Sequence, residues 1–268
     1  MTIQKLAWLT DLHLNFVGRN EVEGLCNTVQ QSGADAVLIT GDIATSTNIT
    51  RYLEFLADSL KRPIYFVLGN HDYYGSSFKT VNSEVGKFVK ENEHLVWLSR
   101  SGVVELSADT CLIGYEGLAD GRLGDPVGSQ VILNDYYNIE ELRQPTKELR
   151  LKVQNRLGDA AARYLKKQLA TAVCKYKRII VALHTPPFAE ACWHLGQLTD
   201  EYYLPHFGCK ATGMALKNLM AKHPEVSMSV YCGHTHSGGY AEILPNLLVF
   251  TAGAEYRVPC IADIISTS

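Results

Sequence analysis

Ile64-Tyr65-Phe66-Val67-Leu68-Gly69-Asn70-His71-Asp72 runs from five apolar residues straight into a glycine and three polar ones. An apolar run of that length reads as a strand buried on both faces, with the polar residues at its carboxyl end. The same pattern recurs on either side of it. Leu6-Ala7-Trp8-Leu9 leads into Asp11-Leu12-His13, and Ala36-Val37-Leu38-Ile39 leads into Gly41-Asp42. Further along, Ile179-Ile180-Val181-Ala182-Leu183 ends on His184, and Met228-Ser229-Val230-Tyr231-Cys232 ends on Gly233-His234-Thr235-His236. Helical stretches separate these runs, so the pattern predicts an α/β fold. Open sheets of that kind place ligand sites beyond the carboxyl ends of their strands, so five segments should converge on one edge.

Seven side chains in these blocks, Asp11, His13, Asp42, Asn70, His184, His234 and His236, offer carboxylate oxygen, amide oxygen or imidazole nitrogen. Borderline divalent metals prefer such donors. Seven are too many for one ion. Two ions fit if one carboxylate is shared, because each then has four protein donors and keeps open positions for water and substrate. Asp42 is the natural bridge. Two ions about 3.5 to 4 Å apart clamp the attacking and leaving oxygens of an in-line displacement at phosphorus, which points to phosphoester hydrolysis.

The ordered series DxH, GD, GNHD, a lone His and GHTH resembles the calcineurin-like metallophosphoesterase superfamily, and the match spans residues 11 to 236. The resemblance implies a four-layer α/β/β/α sandwich: two mixed sheets packed face to face, helices outside, and a two-metal centre at one edge. Carried over by position, Asp11, His13, Asp42 and His236 would hold one ion, and Asp42, Asn70, His184 and His234 the other. A hydroxide bridging the ions would be the nucleophile. His71 would lie outside the metal shell and contact the transferring phosphoryl group or protonate the leaving oxygen. Histidine suits that role near neutral pH, and Asp72 is the adjacent carboxylate expected to orient it. Mixed nitrogen and oxygen donors accept Mn, Fe, Zn, Co or Ni, with Mn favoured here.

Departures from particular branches narrow the reading. Phosphoprotein phosphatases continue their second block as GDxVDRG, whereas this chain reads Gly41-Asp42-Ile43-Ala44-Thr45-Ser46. Thr45 stands where purple acid phosphatases have the Tyr ligand of ferric iron, and His71 where the lipid A branch has Arg. What remains resembles the small single-domain phosphodiesterases and nucleotidases. The expected activity is hydrolysis of small phosphodiesters or phosphomonoesters, nucleotide-like in class. One alternative is an SbcD-like nuclease acting on short nucleic acid, although such nucleases usually carry added segments after GHTH. Another is a non-catalytic scaffold of the same fold, against which stand the complete donor set and His71.

A chain of 268 residues, 46% apolar and 20% charged, suits one α/β domain over residues 1–268. A net charge of −3 lacks the broad basic surface that long nucleic acid would call for. Seven cysteines without a CxxC spacing read as reduced thiols. With no signal-like N-terminal run and no apolar stretch near ~20 residues, the expected location is the cytoplasm, with no membrane partner. Oligomeric state is left open.

Apolar spacing predicts helices after Thr47, an expected cap for Ile49, Leu53, Leu56 and Leu60, and across residues 160–175 and 211–222. Two insertions lie outside the shared blocks, near 118–156 and 188–209. Arg122 in the first has a planar fork that matches phosphate oxygens, though a solvated turn residue is the commoner reading. The second carries Phe188, Trp193, His194, Tyr202, Tyr203, His206 and Phe207, either a wall on which a base stacks or a loop packing on itself. Trp193, His194 and, after the GNHD block, Tyr73 are therefore candidate substrate contacts, and Tyr74 beside it carries the same two readings. His94, His194, His206 and His223 also read as structural histidines.

Overall fold

The computed structural model describes residues 2–267. Five strands, β1 (Lys5–Leu9), β2 (Ala36–Thr40), β3 (Ile64–Val67), β4 (Leu95–Trp97) and, from the C-terminal end, β13 (Asp263–Ser266), form one sheet in the order β13-β1-β2-β3-β4. Only the β13 pairing is antiparallel. A second sheet contains β5 (Val104–Glu105), β6 (Thr110–Tyr115), β7 (Arg178–Leu183), β10 (Ser227–Cys232), β11 (Gly239–Leu244) and β12 (Leu247–Thr251), in the order β11-β12-β10-β7-β6-β5. Its central pairs are parallel and its two edge pairs antiparallel. The short strands β8 (Trp193–His194) and β9 (Gln197–Leu198) form a separate hairpin.

Side-chain alternation sorts each strand between two faces. Leu6 and Trp8 of β1, Leu38 of β2, Val67 of β3, Leu112 of β6, Ile180 and Ala182 of β7 and Tyr231 of β10 share one buried cluster, the layer between the sheets. Trp8 meets Tyr231 edge to face with ring centroids 4.9 Å apart, and its indole N–H donates to the Thr40 hydroxyl at 2.9 Å. The opposite residues of β1 to β3 pack on α1 (Arg19–Gln31), α2 (Ile49–Leu60) and α3 (Phe78–Phe88). Those of β6, β7 and β10 pack on α6 (Lys147–Ala172) and α8 (Lys210–Met220). Helix, sheet, sheet and helix follow in that order, so the four-layer arrangement is present. The remaining short helices are α4 (Leu98–Ser101), α5 (Asp135–Asn138) and α7 (Leu204–Phe207).

Two helices differ from expectation. Asn48, not Thr47, occupies the N-cap position of α2, and no side chain caps the helix there. The predicted 160–175 helix is the C-terminal half of α6, a 26-residue helix that starts just beyond Pro145, where Thr146 caps it by accepting from the Leu149 N–H. Its first turns leave residues such as Leu149 exposed, so no apolar stripe marked them. Among the described residues, no helix is long and apolar enough to cross a membrane.

Candidate metal centre

β1, β2 and β3 run side by side in parallel, as do β7 and β10 in the facing sheet, so the polar residues after all five strands gather at one end of the sandwich. The turns that aim them are strained. Asp11, His13, Asp42, His234 and His236 have φ of 48°, 43°, 52°, 71° and 56°, five of the eight non-glycine residues in the left-handed region among those described. Each such residue costs on the order of 1–3 kcal/mol, and such outliers cluster at sites where function holds them. Gly69 and Gly233 have no side chain for a different reason. A Cβ on Gly69 would sit 2.1 Å from the Asp42 carboxylate, and one on Gly233 would sit 2.0 Å from that of Asp11.

The seven donors converge. His13 and His236 bring their Nε2 atoms to 3.1 Å, and His236 Nε2 lies 3.5 Å from Asp11 Oδ1. Asp42 stands in the middle. Its Oδ1 is 3.4 Å from His184 Nε2, and its Oδ2 is 3.8 Å from His13 Nε2 and 3.9 Å from His71 Nε2. Donor atoms of Asp11, His13 and His236, and again of Asp11, Asp42 and His184, fall within 4.8 Å of one another.

The hydrogen-bond network shows which lone pairs are left over. His184 donates Nδ1–H to the Thr40 carbonyl at 2.9 Å, so in the neutral ring Nε2 carries no proton. That bare nitrogen faces Asn70 Oδ1 at 2.8 Å, two acceptors with no hydrogen between them. Asn70 cannot relieve this by flipping, because its Nδ2 already donates to Asp135 at 2.8 Å. His234 donates Nε2–H to the His206 carbonyl at 3.1 Å, which leaves its Nδ1 as the acceptor. Its backbone N–H is held by both oxygens of Asp11.

Electrostatics tell the same story. Burial makes imidazolium unfavourable, pulling His13 down to about 3 and His71, His184 and His234 to about 4, so all four rings are neutral near neutral pH. Burial, followed by the negative charge of Asp11, pushes Asp42 well above the carboxylate range. For Asp11 burial acts in the same sense, but the His236 hydrogen bond and the surrounding imidazoles outweigh it and hold the acid low. No Lys or Arg reaches these carboxylates among the described residues lining the cleft. Buried acceptors facing one another without a cation are what a divalent metal site looks like before the ion's charge is counted, so the donor set fits divalent ions.

Above the cluster lies a cleft of about 260 Å³, lined on its rim by Tyr74, Leu133, His194, Phe207 and Tyr256. His71 projects into it, its ring stacked on Tyr74 with centroids 4.2 Å apart. Tyr256, 45% exposed, lies 4.5 Å from the His13 ring and 5.4 Å from the exposed Phe16. His194 packs against Phe207, which in turn meets His234 edge to face at 5.6 Å.

Several sequence candidates sit elsewhere. Asp72 does not orient His71. Its carboxylate is fully buried and accepts from the Gly69 and Ala44 N–H groups, each at 2.8 Å, fastening the GD loop to the GNHD loop; burial, opposed by those backbone bonds, raises its pKa to about 7. Tyr73 is a core residue whose hydroxyl donates to Asn82 and whose ring packs on Phe78, because the short turn after Asn70 points it inward and its neighbour Tyr74 outward. Arg122 is outside the cleft, bound to Asp159 at 2.7 Å and to Asp120 at 3.3 Å; Asp120 also accepts from the first N–H groups of α8. Trp193 lies over Gly239 and does not line the cleft, although its neighbour His194 does. His206, read as structural, has both ring nitrogens partnered, by Tyr136 and Ser129.

Tyr74, which shares with Tyr73 its place just after the GNHD block, is the one of the two that lines the cleft, whereas Asp135 and Tyr256 carried no sequence signal for this site. Asp135 and Tyr256 lie outside the five blocks, and only the folded chain brings them to the donors.

A family model for calcineurin-like phosphoesterases matches residues 4–238. A search of curated proteins found no match. Among solved structures, phosphopantetheinyl hydrolase from Mycobacterium tuberculosis is similar at a TM-score of 0.67 and 15% identity, over 97% of this chain and 95% of that one. A dimetal phosphatase from Danio rerio gives 0.60 and 13% over 96% and 89%. The anchor in the inner membrane complex of Plasmodium gives 0.50 and 16% over 94% and 72%. At these identities the likenesses speak for the fold alone, whereas the family match covers most of the chain and all five blocks. The chain belongs to the calcineurin-like phosphoesterase family and is a metal-dependent phosphoesterase.

Proposed function

We propose that this enzyme hydrolyses small, singly charged phosphodiesters of nucleotide-like size at a two-ion centre. The observation that carries the reading is the cleft: it opens directly onto the donor cluster, its rim is aromatic, and no Lys or Arg lines it among the described residues. A phosphomonoester dianion, a polyphosphate or a long nucleic acid draws most of its affinity from such cations. A diester carries one negative charge and two organic arms, which suits aromatic walls.

In this reading Asp11, His13, Asp42 and His236 hold one divalent ion, and Asp42, Asn70, His184 and His234 hold the other. Bound ions would supply Lewis acidity toward the phosphoryl oxygens and an attacking water active at neutral pH. The chain's own residues do the rest. The strained turns at Asp11, Asp42 and His234 aim the donors before any ligand arrives, which lowers the cost of reorganisation. His71 stands beside Asp42 on the open side, where its neutral ring can donate an N–H to the leaving oxygen while Tyr74 fixes its plane. Tyr256 and Phe16 offer a face to an organic arm of the substrate. The mixed set of four imidazoles with the oxygens of Asp11, Asp42 and Asn70 accepts Mn, Fe, Zn, Co or Ni, and Mn is the ion taken forward for the test. Seven cysteines, all free and five of them buried, support a reducing, cytoplasmic setting.

The test is chelator stripping followed by re-addition of Mn, comparing bis-p-nitrophenyl phosphate with p-nitrophenyl phosphate. The expected outcome is metal-dependent turnover with kcat/KM about tenfold or more in favour of the diester, a margin of roughly 1.4 kcal/mol. Preference for the monoester would overturn the diester assignment. Absence of metal-dependent turnover of either would overturn the catalytic reading.

A further inference from the structure

The 118–156 segment lines one side of the cleft through Leu133, Asn134 and Asp135, and the last of these, the first residue of the short helix α5, also lies against the donors. Asp135, only 8% exposed, accepts two hydrogen bonds there, from Asn70 Nδ2 at 2.8 Å and from the Tyr74 hydroxyl. The next residue, Tyr136, is 5% exposed, and its hydroxyl bonds His206 Nδ1 while Ser129 takes His206 Nε2 at 2.9 Å. The carbonyl of the same His206 receives the Nε2–H of His234. Two consecutive side chains of one four-residue helix thus reach Asn70 directly and His234 through one intermediary. Arg150 of α6 lies 3.8 Å over the Tyr136 ring and ties that helix to the body of the protein.

We infer that Asp135, seconded by Tyr136, is the positioning residue that builds the His184 side of the metal centre. The inference rests on the two-ion reading above. Its chemistry is that of an amide. Asn70 is nearly the same shape with its oxygen and nitrogen exchanged, so packing alone does not choose which atom faces His184. A carboxylate accepts only, so Asp135 selects the orientation with Nδ2 toward itself and Oδ1 toward the centre. Through the Tyr74 hydroxyl the same carboxylate also fixes the ring against which His71 stacks, so one side chain sets a metal donor and the orientation of the group facing the leaving oxygen. Partners behind a ligand of this kind typically change metal affinity by about 10–100-fold.

The test is calorimetric titration of Mn into the chelator-stripped protein, for wild type, Asp135→Leu, Asp135→Asn and Tyr136→Phe, with thermal melting of each metal-free form. Wild type should take up two ions. Asp135→Leu should keep one ion at near wild-type affinity and bind the other about 10–100-fold more weakly, without a matching change in apo melting. Asp135→Asn, which retains an accepting oxygen, should recover most of the loss, and Tyr136→Phe should weaken the same ion by a smaller factor. If Asp135→Leu binds both ions as wild type does, the inference falls; if that variant does not fold, unchanged affinities in Tyr136→Phe overturn it instead. Wild type that takes up no Mn would overturn the two-ion reading itself, a result distinct from either of these.

Discussion

On the His184 side of the centre the donors are gripped from behind: His184 by the Thr40 carbonyl, Asn70 by Asp135, and His234 by the His206 carbonyl. On the His13 side the grip is partial. Asp11 is held by the Thr10 hydroxyl and the His234 N–H, but His13 Nδ1 is buried with no partner among the described residues, and the His236 side chain is 24% exposed beside Tyr256. Hydrogen bonds behind a ligand fix its tautomer and raise its basicity, so the two halves of one cluster differ in how much order precedes the metal. Pre-order is strongest where an added segment, α5, reaches in, and weakest where the chain relies on strained turns and an aromatic lid.

The largest expected effect comes from the residue both halves share. Asp42→Ala should cut kcat/KM by about 10⁴-fold or more, the several kcal/mol that metal assistance supplies, and should lower bound metal on both sides. Loss of only one ion, seen by elemental analysis, would mean that Asp42 does not bridge. His71→Ala should lower kcat by about 10²- to 10³-fold while metal content stays at the wild-type value, since a hydrogen-bond donor to the leaving oxygen is lost and no ligand is. A fall in metal content would make His71 a ligand, as its 3.9 Å approach to Asp42 permits.

The comparison itself is tested by timed chelation. The ion on the His13 side should leave about tenfold faster than the one on the His184 side, and a single rate for both would erase the distinction. Tyr256→Ala should raise KM about fivefold, near 1 kcal/mol of lost stacking, with kcat within about twofold. A KM effect that is the same for a diester of methanol as for one of an aromatic alcohol would show that the ring merely covers His13. The smallest effect belongs to Arg122. Arg122→Ala should cost about 1 kcal/mol of stability through the loss of an ion pair at Asp120, read from chemical denaturation, and leave kcat/KM unchanged.

Asp72 and Asp135 show two different ways in which reading along the chain fails. Asp72 is adjacent to His71 in sequence, and adjacency suggested a pair. In a short turn, however, consecutive side chains point in different directions, and Asp72 turns inward to the Gly69 and Ala44 N–H groups. Asp135 lies 65 positions from Asn70, and no local pattern links them. The same contrast separates Tyr73, packed in the core, from Tyr74, at the cleft.

The five site-bearing strands with their polar ends, the seven candidate donors and the family were all legible in the amino-acid sequence alone. They rest on local chemistry: apolar runs that must be buried, polar residues placed where a strand stops, and a donor set suited to divalent metal. The tertiary structure decided the left-handed turns that aim those donors, the tautomers of His184 and His234, the absence of cationic side chains along the cleft among the described residues, and the partners that hold Asn70. These depend on which segments become neighbours when the two sheets stack, and that pairing of distant residues is set by packing the whole core at once.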